Sequence, residues 1–69
     1  MDEDLSDADL DRVLALARSS GLPTRAAEEL TAEVVRSFRR GDGSGWLRRA
    51  APQTRLDVLA VLAVLRRRQ

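Results

Sequence analysis

A chain of 69 residues makes one domain, and a domain this small buries only ~60% of the surface its unfolded form exposes, so its stability is thin. It has no cysteine, histidine, lysine or tyrosine, which excludes disulfides, thiolate and imidazole metal sites and the commonest general base. The net charge is +1 but unevenly spread: residues 1–11 carry six acids and no base, and residues 12–69 carry twelve arginines against five acids.

The acidic lead-in, residues 1–5, is expected to fray as part of a single domain spanning 1–69. Ser6 opens a helix. With Asp9 three positions on, it forms a capping-box pair in which the serine oxygen accepts a backbone N–H and the acid reaches back. Asp7 and Asp9 also sit at the positive end of the helix dipole, so half of the acidic cluster has a local structural use. Leu10, Val13, Leu14 and Ala17 recur at i, i+3, i+4 and i+7, one buried stripe. Leu5 is placed to staple across the cap, and Gly21 ends the helix as its left-handed residue. These signals predict a helix over 7–19.

Pro23 keeps Leu22 out of helical geometry, and Thr24 is the expected cap of a second helix over 25–40. Ala27, Leu30, Thr31, Val34 and Phe38 share a face, with Ala26 and Val35 beside it. Acids lie toward its start and arginines toward its end, matching the dipole. Glu29 and Glu33 form an i, i+4 like-charge pair, a small local cost.

Gly41-Asp42-Gly43-Ser44-Gly45 is the one clear breaker. No lysine follows the glycines and no strand precedes them, so the segment matches neither the P-loop nor the dinucleotide fingerprint. A short helix over 45–51, ended by Pro52, is predicted to tuck Trp46 and Leu47 under the bundle. Thr54 with Asp57 is a second capping-box pair, opening a last helix over 55–68.

That last helix is apolar on nearly every side. On a helical wheel Leu56, Leu59, Leu62 and Leu65 take one half and Val58, Val61 and Val64 the other, with Ala60 and Ala63 between. The other helices offer only narrow stripes to cover it. The leucine half is therefore assigned to the core, with Leu10, Val13, Leu14, Ala17, Leu30, Val34, Phe38, Trp46 and Leu47. The valine half is assigned to a partner, with Val58, Val61, Val64, Leu65, Arg66, Arg67 and Arg68 as binding residues. The three terminal arginines also suit the negative end of a helix.

The expected fold is all-α: a small bundle of three main helices (7–19, 25–40, 55–68) and one short one (45–51). The expected function is a helical protein–protein interaction module, such as an adaptor, docking domain or accessory subunit. It works through the last helix, with another protein or with itself as a homodimer. The alternative is a helix-turn-helix regulator or antitoxin in which 25–40 is the recognition helix, and Thr24, Arg25 and Arg36 meet nucleic acid. Glu28 and Glu29 beside those residues repel phosphates, which weighs against it. Catalysis is not expected, because no pair of carboxylates stands in an apolar setting that would shift a pKa. Nor are a cofactor, a small-molecule substrate or a metal: Asp2, Glu3, Asp4 and Asp7 lack the loop glycine and terminal glutamate of an EF-hand. The longest apolar run is too short to span a bilayer, and a cytoplasmic setting is expected.

Overall fold

A computed structural model describes residues 5–68, so the acidic residues 2–4 lie outside the described chain. Four helices follow in order: α1 (Asp7–Ser19), α2 (Thr24–Arg40), α3 (Gly45–Arg48) and α4 (Pro52–Arg67). No strand occurs among the described residues. The chain is a small all-α bundle, as its periodicity predicts.

The start of α1 follows the sequence signal in detail. Ser6 Oγ accepts the Asp9 N–H at 3.2 Å, and an Asp9 carboxylate oxygen accepts the Ser6 N–H at 3.1 Å. Both α1 and α2 end on left-handed glycines. Gly21 has φ 100° and Gly41 φ 73°. Behind them the Leu22 N–H donates to the Ala17 carbonyl at 3.3 Å, and the Asp42 N–H to the Ser37 carbonyl at 3.1 Å. Each closure uses a last-turn carbonyl that the helix itself leaves unpaired.

Two helix starts differ from expectation. Thr24 is not the cap of α2 but its first residue, because extended Pro23 takes the cap position and its carbonyl accepts the Ala27 N–H at 2.9 Å. Pro52 does not end α3; it begins α4, with Ala51 before it. A proline at the first helical position loses nothing, since its missing N–H would have no intrahelical partner there. The Thr54–Asp57 box therefore does not form. Asp57 instead takes an ion pair from Arg12, across from α1.

α1, α2 and α4 pack on one another, and α3 packs on α4. Arg12 pairs with Asp57, and four residues further on in each helix Leu16 and Val61 line the same groove, so α1 and α4 run the same way. Glu33 of α2 meets Arg67 at the end of α4 at 3.3 Å, while Phe38 further along α2 meets Arg55 near the start of α4, so α2 runs against α4. The buried core is Val13 and Ala17 from α1, Ala27, Leu30, Val34 and Phe38 from α2, Leu47 from α3, and Leu56, Leu59, Ala60, Ala63 and Val64 from α4. Leu5, Leu14, Leu22 and Val58 pack on its edge. The Arg55 guanidinium lies over the Phe38 ring, 4.6 Å from its centre, and closes one end by a cation–π contact.

The Cα frame measures 31 × 26 × 16 Å. Its thinnest direction is that of two packed layers, ~10 Å between helix axes with a Cα radius of ~2.3 Å on either side, so no helix is enclosed on every side. This decides the fate of α4 and corrects its expected division. Leu62 and Leu65 are 48% and 50% exposed, whereas Val64 is only 6% exposed. Steps of three residues fall about 60° short of a full turn, so the four leucines drift round half the helix and form no single stripe. The stripe that is buried runs through Leu56, Leu59, Ala60, Ala63 and Val64, with the two alanines at its centre. Alanine there lets neighbouring helices approach closely.

Trp46 is a second correction, being 59% exposed rather than core. α3 is a single turn, and neighbouring positions on a helix point about 100° apart, so only one of the adjacent pair Trp46 and Leu47 faces inward. Leu47 takes that place because Gly43, at φ 127°, brings the loop against it; a Cβ at Gly43 would overlap the Leu47 side chain. Leu10, expected in the core, is partly exposed and is not among the residues that pack on it.

Candidate interaction surface on the last helix

The outward side of α4 carries Val61, Leu62 and Leu65, with Val58 partly exposed beside them. On a wheel these four occupy about 100° of consecutive arc, so they form one apolar strip along the helix. Three of the residues expected to meet a partner, Val58, Val61 and Leu65, are therefore on the exposed side. Val64 is not, since it packs in the core. Leu62, assigned to the core by sequence, belongs to the strip. The signal that could have found it was the drift of i, i+3 steps rather than residue type.

A groove lies on each side of the strip. The first, about 790 Å³, runs between α2 and α4. Its α4 wall is apolar: Leu59 below, Leu62 and Leu65 above. Its α2 wall is polar, with Glu33, Arg36, Ser37 and Arg40 spaced i, i+3, i+4 and i+7, so all four share one helical edge. Arg66 lies at the α4 end and Asp42 at the other. The second, about 410 Å³, runs between α1 and α4 with Leu16 and Val61 on opposite sides and the Arg12–Asp57 pair at one end.

Charge is distributed differently in the two. In the second groove, Arg12 and Asp57 satisfy each other, and Arg12 also reaches Asp9 at 3.5 Å. In the first, both acids are already engaged. Glu33 takes Arg67 at 3.3 Å, and Asp42 takes Arg40 Nη2 at 2.7 Å. The hydrogen bond from Arg40 is the main reason the Asp42 carboxyl titrates below its ordinary value, and the same bond raises Arg40. Arg36 and Arg66 engage no carboxylate among the described residues. The groove thus combines an apolar wall with two uncommitted guanidinium groups.

The terminal arginines consequently separate. Arg67 is a structural tie to α2, Arg66 faces the groove, and Arg68 caps the end of α4 through backbone bonds. The residues of the alternative nucleic-acid reading do not converge. Thr24 and Arg25 lie at the start of α2, and Arg36 is eleven residues beyond Arg25, ~17 Å along the helix. Arg25 also leans toward Glu29 at 3.9 Å, which leaves the start of α2 with Glu28 as an exposed negative charge. No group of three or more metal-capable acids is gathered among the described residues, and no helix there is long and apolar enough to cross a membrane. No protein-family model, curated protein or solved structure matches the chain.

Proposed function

We propose that this chain is a small helical protein–protein interaction module that docks through the outward face of α4. The observation that carries the reading is the strip of Val61, Leu62 and Leu65, each 44–50% exposed on a helix whose opposite side is fully packed. Burying a side chain of this size contributes ~1.5–3 kcal/mol, and about half of that remains to be gained at each of the three. Several adjacent half-exposed aliphatic side chains are a liability to a solitary monomer and an asset to one that associates. Partner protein and second copy are both open to this face.

The test replaces Val61 and Leu65 with glutamate together. The expected result is a variant that keeps its helix content by circular dichroism and still unfolds cooperatively in urea, its midpoint lowered only by the loss of two half-buried contacts, about 1 kcal/mol at each. Its solution mass becomes independent of concentration, or its complex with a partner is lost. If the double variant unfolds, α4 is a core helix on this side as well and the reading is wrong.

A further inference from the structure

The interaction surface has one edge whose chemistry names its occupant. Resting on the interaction-module reading, we propose that the α2–α4 groove takes an acidic amphipathic helix of a partner protein, its apolar side on Leu62 and Leu65 and its carboxylates on Arg36 and Arg66.

The sign of the charge comes from the ion pairs. Glu33 and Asp42 are neutralised by Arg67 and Arg40, so the groove's remaining charge is the pair Arg36 and Arg66, one on each wall. A guanidinium presents a planar fork that matches a carboxylate through two parallel hydrogen bonds, so two uncommitted arginines in one groove select acids in fixed positions. The helical form comes from the walls. Glu33 to Arg40 spans two turns of α2, and Leu59 to Arg66 spans the same length of α4 running the opposite way, ~10 Å in each case. Two antiparallel helices with a furrow between them are the receptor for a third, whose side chains enter as ridges. The breadth of the apolar strip favours a macromolecule over a small amphiphile, because Val61 and Val58 continue it over the crest of α4 and outside the groove. A second copy is the poorer occupant. An antiparallel two-fold pairing of α4 with itself sets each edge beside its own duplicate, so the edge that carries Arg36 and Arg66 meets another with the same surplus of positive charge.

The probe is a pair of synthetic helical peptides of about 14 residues, some four turns. Both carry leucine at i, i+4, i+7 and i+11; one has glutamate at the flanking positions and the other glutamine. Fluorescence anisotropy of each labelled peptide is titrated with the intact protein. The glutamate peptide is expected to bind at least ~10-fold more tightly than the glutamine peptide at low salt, with the advantage shrinking as salt is raised. In the double variant R36Q/R66Q, whose two sites are exposed and should leave the thermal midpoint in place, the preference should vanish while residual apolar binding remains. Equal binding of the two peptides to the parent, or an undiminished preference in R36Q/R66Q, overturns the proposal and leaves the interaction module intact. Binding of neither peptide overturns it too, and a solution mass that then rises with concentration makes the occupant a second copy. Failure of the underlying reading is seen separately, as unfolding of the Val61/Leu65 glutamate variant.

Discussion

α2 and α4 are nearly equal in length, 17 and 16 residues, and each packs on the other, yet they carry information of different kinds. α2 separates its residues cleanly. Ala27, Leu30, Val34 and Phe38 are buried, and Glu28, Glu29, Arg36 and Arg39 are exposed. α4 is polar at Gln53, Thr54 and Arg55 in its first turn, but from Leu56 to Leu65 only Asp57 interrupts a surface that is apolar on every side. A helix with a polar face records which way it points. A uniformly apolar helix records only that it needs more cover than it has been given. In a frame 16 Å thick the shortfall lands on the surface, and that is where the candidate interface lies.

Core truncation should divide the two helices most sharply. Leu30 is fully buried, so Leu30→Ala should destabilise by about 2–5 kcal/mol, a large share of what a domain of this size possesses. Leu62→Ala, at a residue 48% exposed, should cost under about 1 kcal/mol. Urea unfolding followed by circular dichroism gives both values. Equal losses would erase the distinction, because Leu62 would then be core in solution.

The joint between the two helices comes next. Gly43→Ala places a Cβ against Leu47 and forces a side chain into φ 127°, so a loss of about 1–3 kcal/mol is expected. Gly41→Ala is the control. Its φ of 73° is also unfavourable, but nothing lies within 4 Å of the added carbon, and a loss nearer 1 kcal/mol is expected. If the two variants unfold at the same urea concentration, close packing of the loop on Leu47 is not what holds α3 in place.

These contrasts also mark what the sequence made legible. The ends of α1 were readable because capping is local: Ser6, Asp9 and Gly21 act within a turn of where they stand. The buried face of α2 was readable because charges occupy its other side. The start of α4 was misplaced because proline stops one helix and starts another with equal ease, and only the backbone shows which: Ala51 is extended and its carbonyl accepts the Arg55 N–H at 3.0 Å. The core side of α4 was half right. Leu56 and Leu59 were placed correctly, but Leu62 and Val64 exchanged roles, since residue type was used where angle decides. Trp46 was misassigned because large aromatic residues are usually buried, a preference that a one-turn helix cannot honour when its neighbour Leu47 already fills the space. The groove was beyond sequence altogether. Arg36 and Arg66 lie thirty positions apart, and what distinguishes them from Arg40 and Arg67 is the engagement of the latter two by Asp42 and Glu33.

The tie between α1 and α4 should matter less than either core or joint. Asp57→Asn removes the partner of Arg12, but both side chains keep a third or more of their surface in water, at 38% and 54%. A loss of about 0.5 kcal/mol is expected, shrinking in high salt as solvent ions screen the pair. A loss several times larger would mean that α4 depends on this contact for its orientation, and that its apolar side does not set its position alone.

The smallest expected effect is a pH dependence at the end of α2. The Asp42 carboxyl is held below its ordinary value of 3.8, chiefly by the hydrogen bond from Arg40, with further help from Ser37 and the nearby charge of Arg48. A carboxylate whose value is lowered by folding contributes stability that is fully present above 3.8 and is lost as pH falls through the lower folded value. Asp42→Asn should therefore lie slightly below the parent in urea midpoint at neutral pH, and the two should converge once the medium is more acidic than the folded carboxyl. Both partners are exposed, so salt at neutral pH should also narrow the gap. A gap that persists unchanged into acid would show that the carboxylate's charge is not what separates the two side chains, and no gap at any pH would leave only the backbone N–H of position 42, which closes the end of α2 on Ser37 in both proteins.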